Sequence, residues 1–312
     1  MVMRRRHDPL GLILAADDGL YQAEPGAEST CVVPGPRFTH VEYYDGLAAA
    51  AAPGTGIWVF AGRRWEQSWE GDARSISVTP SGAMFAGIGD GGLLRSEDRG
   101  ESWSEIEGVR NLLKHNNFAS IGGDRRSVVS SVIEVDEGFV VAIAGGGAWH
   151  TRDGGKSWLR RSDGLDPKVH RIWGHPEHRD RLFATADSGI FRSEDEGHTW
   201  VQTIGGLDRS WGGTVAVLPG APDAIVATMA REAPGREGAL FRSANGGVTW
   251  SRLLLDEEDE WEQVPVVVRP WDWEDVAFVC AGDGIWASHD RGRTWVGLGH
   301  GYPVANAVSA SL

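Results

Sequence analysis

The sequence is poor in three features that mark large classes of proteins: cysteine, lysine and long apolar runs. Two cysteines, Cys31 and Cys280, are too few for a disulfide scaffold, and neither has a metal-ligand spacing. No run approaches the roughly 18 consecutive apolar residues that a membrane-spanning helix requires. Three of the 30 basic residues are lysine, and 44 acidic residues bring the net charge to -14. This balance argues against a general nucleic-acid or anionic-membrane partner.

The N-terminal segment imitates a signal peptide, because Arg4–Arg6 precede the apolar stretch Leu10–Ala16. Asp17 and Asp18 interrupt that stretch early, and no convincing small-residue cleavage site follows. We therefore interpret the stretch as a first β-strand. Together with the missing membrane span, this predicts a soluble, cytoplasmic protein.

Glycine and tryptophan are the residues in excess. The 43 glycines are nearly twice the usual share of about 7%. Because glycine accepts a positive φ, this excess indicates many tight turns and therefore many short strands. With 41% hydrophobic residues the 312-residue chain can bury a core. Its length suggests two domains unless one repeat architecture uses all of it.

One short pattern occurs five times and organises the chain. Each copy begins with Ser or Thr, continues with Asp or Asn and then Gly, and ends with Ser or Thr followed by Trp. The copies are Ser96–Trp103, Thr151–Trp158, Ser193–Trp200, Ser243–Trp250 and Ser288–Trp295. They recur every 42 to 55 residues, which is the size of one propeller blade.

The pattern has the chemistry of a hairpin turn, which we call the repeat turn. A short polar residue ends one strand, the Asp or Asn side chain binds the backbone of the turn, and Gly takes the positive-φ position. The tryptophan then opens the next strand, and we expect its indole to be buried. The structural residues of the five turns are Asp98, Asp153, Asp195, Asn245 and Asp290. We assign none of them to an active site.

The repeat turn resembles the Asp-box, or bacterial neuraminidase repeat, S-x-D-x-G-x-T-W. Proteins that carry it include sialidases, xyloglucan-cleaving glycosidases built from two seven-bladed propellers, and sortilin-type receptors. The photosystem II assembly factor, a single seven-bladed propeller, is another. The resemblance implies a propeller in which each box joins the third and fourth strands of a blade.

The sequences around the repeat turns predict four short strands for each copy. We predict an all-β fold, a single seven-bladed β-propeller of four-stranded antiparallel blades over residues 1–312. The predicted blades are 10–34 with 303–312, 37–70, 72–108, 118–163, 168–205, 211–255 and 262–298, so that both termini close the first blade. Closure of the ring removes exposed sheet edges.

Basic residues precede the innermost strand of several blades, at the end of the channel that we call the mouth. The resemblance places there the connections from strand four to the next strand one, and from strand two to strand three. The predicted ligand-binding residues are Arg37, His40, Arg74, His115, Arg126, His170 and Arg209. Clustered cations in a cleft would attract a small anion, an acidic glycan or an acidic peptide segment. The alternative is that they pair with turn carboxylates such as Asp90, Asp187 and Asp283.

The longest connection, residues 108–126, shows no convincing strand. Long connections without regular structure are functional or disordered in a compact repeat protein. The polar residues of this one, His115 and Arg126 among them, favour a binding lid at the mouth, with disorder as the alternative.

A resemblance to sialidases would imply an arginine triad that binds the substrate carboxylate. It would also imply a Tyr-Glu pair as nucleophile and an aspartate as general acid and base. The Arg-Ile-Pro signature of that family is missing ahead of the first repeat turn, and sialidase domains have six blades. If the chain is a glycoside hydrolase, its candidate catalytic residues are Glu42, Asp187 and His40. His40 is then the expected partner of Glu42, because the two lie on the same face of one strand.

Size and blade number are closest to those of the assembly factor. We therefore predict a binding or assembly module, with a sialidase-like glycoside hydrolase acting on an acidic glycan as the alternative. We expect no cofactor and no metal site, because His170 lies at the opposite end of a predicted strand from His175 and His178.

Overall fold

The structure is a computed structural model that describes residues 11–24, 27–116, 118 and 127–311. Seven antiparallel sheets of four strands each follow one another around a central channel, and one of them carries a fifth strand. Their innermost strands contact one another in sequence, and the last contacts the first, which closes the ring. The predicted all-β, seven-bladed propeller is confirmed.

The strands of each blade run in order from the channel outwards. Blade 1 contains β29 (Ala307–Ser311), β1 (Gly11–Ala15), β2 (Gly19–Ala23) and β3 (Thr30–Pro34). Blade 2 contains β4 (His40–Tyr44), β5 (Leu47–Ala52), β6 (Gly56–Phe60) and β7 (Trp65–Glu70). Blade 3 contains β8 (Ala73–Val78), β9 (Met84–Ile88), β10 (Leu93–Ser96) and β11 (Ser104–Glu105). Blade 4 contains β12 (Val129–Glu134), β13 (Phe139–Ile143), β14 (Gly147–Thr151) and β15 (Leu159–Arg160).

The remaining three blades follow the same order. Blade 5 contains β16 (Val169–Gly174), β17 (Leu182–Ala186), β18 (Gly189–Ser193) and β19 (Val201–Thr203). Blade 6 contains β20 (Trp211–Leu218), β21 (Ala224–Glu232), β22 (Arg236–Ser243) and β23 (Ser251–Leu253), and β24 (Trp261–Gln263) also pairs with β22. Blade 7 contains β25 (Val266–Val268), β26 (Ala277–Ala281), β27 (Gly284–Ser288) and β28 (Val296–Gly299).

Blade 1 is assembled from distant parts of the sequence. The innermost strand β29 pairs antiparallel with β1, with Leu12 opposite Ala310 and Ala15 opposite Ala307. The first blade is thus completed as the sequence predicted, and the inner ring has no free strand position.

The core is distributed around the ring because every blade packs between two neighbours. All residues of the second strands β5, β9, β13, β17 and β26 are buried, so these strands are covered on both faces. Their small and apolar side chains suit such close packing between sheets. The short outermost strands β11 and β15 are exposed.

The repeat turns are held together by their own side chains. Asp98 accepts hydrogen bonds from Ser96 Oγ (2.8 Å), from Ser102 N (2.9 Å) and from Ser102 Oγ (2.5 Å). Gly100, with a φ of 86°, donates its N–H to Ser96 Oγ. The hydrogen bonds from Ser102, and after them the one from Ser96, lower the pKa of Asp98 to about 2. In the fourth turn the amide oxygen of Asn245 accepts the equivalent bonds.

In the described structure, three of the five repeat-turn tryptophans donate a hydrogen bond to the preceding blade. Trp103 of blade 3 donates its indole N–H to Ser68 Oγ of blade 2 (2.7 Å). Trp200 of blade 5 donates to the carbonyl of Arg161, which follows the last strand of blade 4 (2.9 Å). Both indoles therefore satisfy their polar atom while filling the space between blades, whereas the buried Nε1 of Trp295 has no hydrogen-bond partner in the described part of the chain.

The expectation that residues 108–126 lack regular structure was wrong for the first half of that segment. Helix α1 (Glu107–Asn116) begins with an acidic residue, carries Lys114 and His115 in its last turn, and buries Val109 and Leu112. The charges suit the helix dipole, and the two apolar residues lie on one face, which packs on blade 3. None of the described helices has the length and apolarity that a membrane crossing demands.

Candidate functional site

The central channel has two ends of different construction. The mouth is formed by the connections between successive blades and by the turns between second and third strands. The other end, which we call the turn side, is formed by the connections between first and second strands. It lies on the same side of the ring as the repeat turns.

Two β-bulges at the mouth determine where two of the predicted ligand-binding residues lie. The pairing of β8 with β9 skips Arg74, and that of β16 with β17 skips His170. A bulge leaves the extra residue outside the ladder and redirects its side chain. Arg74 and His170 therefore lie at the rim of the mouth, outside the regular alternation of side chains along their strands.

The predicted arginines at the mouth are bound to carboxylates of the chain. Arg37 pairs with Asp17 (2.9 Å), and Arg74 pairs with Asp72 (2.8 Å). Both pairs are largely exposed, so each contributes little to stability. They nevertheless neutralise two of the cations that were expected to attract an anion.

Arg209 is the most deeply embedded of these cations. Its side chain is completely buried, and it binds Asp208 (2.8 Å), Glu260 and the carbonyl of Glu237 (2.8 Å). Arg252 contacts the same two carboxylates (3.4 Å to each). This cluster is a fixed ion-pair network of blade 6 with no free guanidinium face.

The other predicted binding residues differ in environment. His40, at the start of β4, is part-buried, and burial together with the positive charge of Arg171 lowers its pKa to about 3, so its ring is neutral at pH 7. His115 is exposed on α1, where Nδ1 lies 2.6 Å from the carbonyl of Asn111. Arg126 lies outside the described residues.

The predicted catalytic residue Asp187 is brought together with His170. Its carboxylate lies 2.8 Å from His170 Nε2 and 3.0 Å from Lys168 Nζ. Burial acts to raise the pKa of Asp187, but the hydrogen bonds from His170 and Lys168 outweigh it, and the pKa is lowered. A carboxyl group with a lowered pKa is a poor proton donor near neutral pH.

Glu42 is paired with Arg171 rather than with His40, which corrects the partner expected from the sequence. One carboxylate oxygen binds the Arg171 guanidinium, and the other accepts the N–H of Val78 (2.7 Å). Blades 2 and 5 are not neighbours, so this ion pair crosses the channel. A partner 129 residues away is not evident from strand periodicity.

A groove at the mouth, between blades 2, 3 and 4, has a mixed charge. Its volume is about 990 Å³, and its lining includes the carboxylates of Asp72, Asp90 and Glu105. The guanidinium of Arg74 lies there too, as does that of Arg110, which binds Asp90 (2.8 Å) and Glu105. Three carboxylates thus face two guanidinium groups, which is not the basic surface that was expected.

The turn-side half of the channel holds a second cavity, of about 600 Å³, which we call the turn-side chamber. Valines of the inner strands form much of its wall. The Glu42–Arg171 pair lies at its inner end. The polar and aromatic residues nearer the opening are Tyr44, Glu134, Trp173, Arg179, Arg269 and Trp271.

Aromatic rings and guanidinium groups are associated at this opening. The rings of Tyr44 and Trp271 are 4.4 Å apart and steeply inclined, and the Arg269 guanidinium lies 5.7 Å from the Trp271 ring centre. Arg269 also binds the carbonyl of Trp271 (2.8 Å), and burial lowers its pKa to about 10. Arg179 is exposed and has no ion-pair partner in the described part of the chain. Tyr, Trp and Arg are the residues enriched at protein interfaces.

The sequence prediction missed the chamber because it concentrated on the mouth. Tyr44, Trp173 and Trp271 all lie at or just beyond the turn-side end of an inner strand. The recurrence of an aromatic residue at that place in blades 2, 5 and 7 was a readable signal. Within the described ranges, no three His, Cys, Asp or Glu side chains are grouped to hold a metal ion.

No protein-family model and no curated protein matches the sequence. Solved structures do match the fold. The GH74 xyloglucanase from Xanthomonas campestris superposes with a TM-score of 0.64 at 14% identity, over 93% of this chain and 47% of the enzyme. The chain therefore spans about half the length of that enzyme.

Two structures of YCF48 match over most of both chains. YCF48 from Cyanidioschyzon merolae has a TM-score of 0.55 at 12% identity, with 93% of this chain and 88% of that chain covered. YCF48 bound to D1 peptide has a TM-score of 0.59 at 13% identity, with 94% and 85% covered. At these identities the likeness shows a common fold, on which both hydrolysis and peptide binding occur.

Proposed function

We propose that this protein is a binding module whose turn-side chamber takes a segment of a peptide or a glycan. The observation that carries the proposal is the chamber itself. It combines an apolar wall with Trp173, Trp271, Tyr44 and two arginines, and it opens to solvent. Cavities of this size with a few convergent polar groups are the usual form of a ligand site.

The state of the candidate catalytic groups supports binding over hydrolysis. Asp187 has a lowered pKa, and Glu42 is held by Arg171 and Val78. Glycoside hydrolysis generally requires one carboxylic acid that donates a proton and a second carboxylate free to act as base or nucleophile. Neither residue has a free carboxylate of this kind.

We further propose that the repeat turns are of the Asp-box type. Asp98 and its counterparts each bind the hydroxyl that begins the turn and the residue before the tryptophan, as the S-x-D-x-G-x-T-W pattern requires. This role is structural and leaves the turn-side chamber as the binding feature of that face.

The site can be tested with thermal-shift screening of short peptides and oligosaccharides, followed by calorimetry on the compounds that bind. We expect Trp271→Ala and Arg179→Ala to weaken binding about tenfold, the size of a typical interface hot spot. Leu159→Ala and Arg160→Ala, which alter exposed residues on an outer strand, serve as matched controls with less than twofold effect.

Measurements with the same ligands show which end of the channel holds the site, and whether the protein binds or hydrolyses them. If Arg74→Ala or Arg209→Ala weakens binding while Trp271→Ala does not, the ligand site is at the mouth. Release of reducing sugar that disappears in Glu42→Gln or Asp187→Asn would establish the hydrolase alternative and remove the binding-only proposal.

A further inference from the structure

In the described structure, a series of hydrogen bonds around the middle of the channel joins five of the seven pairs of neighbouring blades. In each bond an inner-strand N–H is bound by a side-chain oxygen of the preceding blade. The bonds are Tyr43 N to Ser309 Oγ, Val78 N to Glu42 Oε2, Val132 N to Ser77 Oγ, Ile172 N to Ser131 Oγ and Val267 N to Thr214 Oγ1. Their lengths are 2.7 to 3.0 Å, so all are well formed.

The bonds place one residue of every inner strand at an equivalent level, which we call the channel layer. Going round from blade 1 to blade 7, the layer consists of Ser309, Glu42, Ser77, Ser131, Arg171, Thr214 and Val266. Four of the seven are hydroxyl residues, and each of these hydroxyls accepts the N–H of the next inner strand without any charged group. The two charged members of the layer, Glu42 and Arg171, are therefore not required by the architecture of the ring.

Glu42 performs two tasks where a serine performs one. Its Oε2 accepts the N–H of Val78, as the hydroxyls do elsewhere, while its Oε1 reaches across the channel to Arg171. Arg171 has no acceptor oxygen and cannot take part in the series of bonds. Its presence in the layer has to be explained by what it binds.

Burial of this pair gives the fold little net stability. The side chains of Arg171 and Glu42 are 18% and 26% exposed. Removing two charges from water costs about as much as their attraction returns, and a neutral substitute is often as stable. The remaining exposure of both side chains is toward the channel, where the chamber gives a solute access to them.

We propose that Arg171 is the anchor for a carboxylate group of the ligand, and that Glu42 occupies this anchor until the ligand displaces it. The proposal rests on the proposed function, since it requires that a ligand enters the turn-side chamber. A carboxylate at the end of a peptide or on a uronic acid has the geometry to form two parallel hydrogen bonds with a guanidinium. Glu42 keeps its bond from Val78 when it releases Arg171, so the series of bonds between blades persists.

The rest of the chamber offers both charged and apolar surface to such a ligand. Arg179 and Arg269 line the opening together with the carboxylate of Glu134. Asp45 and Asp272 lie near Tyr44, and Asp272, Glu177 and Glu274 lie near Arg269, so the opening carries charges of both signs. Glu134 is itself occupied, because it accepts hydrogen bonds from the backbone and hydroxyl of Ser81. The valine wall and Trp173 would cover the apolar part of the ligand.

The test compares ligands that differ only in the carboxylate. N-acetylglycyl-leucine and its C-terminal amide form one pair, and methyl glucuronide and methyl glucoside form the other. Calorimetry measures all four with the wild type and with Glu42→Ser, which removes the internal competitor but keeps a layer hydroxyl. We expect Glu42→Ser to bind one of the two acids at least tenfold more tightly than the wild type does, with no gain for the amide or the glucoside. The pair that responds identifies the source of the carboxylate.

Two further variants exclude general electrostatic effects. Asp136→Asn changes the net charge by the same amount as Glu42→Gln, and its exposed site is on the turn side, outside the chamber. Glu42→Gln should strengthen binding of the acid while Asp136→Asn changes it less than twofold. Arg171→Gln should lose the preference for acid over amide.

The outcomes separate this proposal from the proposed function. Equal affinity for acid and amide in Glu42→Ser overturns the anchor, and if Trp271→Ala still weakens both, the chamber remains a binding site. No binding of any probe to wild type or Glu42→Ser overturns the anchor as well. If Arg171→Gln does not fold, the acid and amide comparison in Glu42→Ser decides alone.

Discussion

The two ends of one channel differ in how the cations beside it are paired. At the mouth, carboxylates are neutralised by arginines and lysine, as in the pairs of Asp17 with Arg37, Asp72 with Arg74 and Asp187 with Lys168. On the turn side, the repeat-turn carboxylates are satisfied by hydroxyls and backbone N–H groups, and Arg181 pairs with Asp223 (3.1 Å). Arg179, beside the chamber, has no ion-pair partner in the described structure. A cation near a propeller channel is thus available for a ligand only where the chain has not supplied its own anion.

The largest expected difference between the two ends is in the stability contributed by a single arginine. Arg209→Met removes a completely buried guanidinium from its carboxylates and should lower the free energy of unfolding by about 3 kcal/mol. The matched substitution Arg179→Met should change it by less than about 0.5 kcal/mol, because Arg179 is exposed. Urea unfolding measures both. If the two variants change the free energy of unfolding equally, the burial of the Arg209 ion pairs does not stabilise the fold.

The ion pair between the two ends should show strong coupling. Arg171→Met alone leaves the Glu42 carboxylate without its cation and should cost about 2 kcal/mol. The double variant Glu42→Ser/Arg171→Met keeps a layer hydroxyl and should lie within about 1 kcal/mol of the wild type. Additive losses in the double variant would contradict the view that the ring needs only hydroxyls at this level.

His40 should make the mouth sensitive to acid. Burial and the charge of Arg171 lower its folded-state pKa to about 3, against about 6.5 in the unfolded chain. Only the unfolded state takes up this proton between those values, so stability falls as the pH decreases from about 6.5 toward 3. The slope is at most about 1.4 kcal/mol per pH unit. His40→Gln should lack this component when unfolding is measured from pH 7 to pH 5; an unchanged slope would show that His40 becomes protonated in the folded state.

The smallest expected effect concerns the fourth repeat turn. Asn245→Asp replaces an amide that donates to Thr249 Oγ by a carboxylate, as in the other four turns. The hydroxyl then donates instead, and we expect a gain of up to about 0.5 kcal/mol at pH 7 from the stronger, charge-assisted bonds. Thermal unfolding of Asn245→Asp beside Asp290→Asn measures the exchange in both directions. A loss in Asn245→Asp would show that the turns are not interchangeable.

The sequence predicted what depends on local pattern. Repeat turns around residues such as Asp98 and Asp195 specify hairpins by short-range hydrogen bonds, and their spacing led to the blade number. Helix α1 was missed because it is short and mostly polar, with only Val109 and Leu112 to mark its buried face.

Pairing across the ring could not be predicted in the same way. The identity of the residue at position 171 shows that a cation is present, but not that Glu42 of a distant blade reaches it. Partner choice at the mouth likewise depends on how the curved connections approach one another. Periodicity along a strand describes one blade, whereas the chemistry of the channel depends on the relation between blades.

The pairing of β29 with β1 has a consequence for the order of assembly. Leu12 and Ala310 are adjacent in space, yet almost the whole chain separates them, so the last joint of the ring is a contact of very high sequence separation. Such contacts are slow to form because a long loop must close first. During synthesis, the strands of blade 1 that come first leave the ribosome without their innermost partner. The emerging protein therefore has an open sheet position until residues 307–311 arrive, and it is exposed to aggregation for that interval.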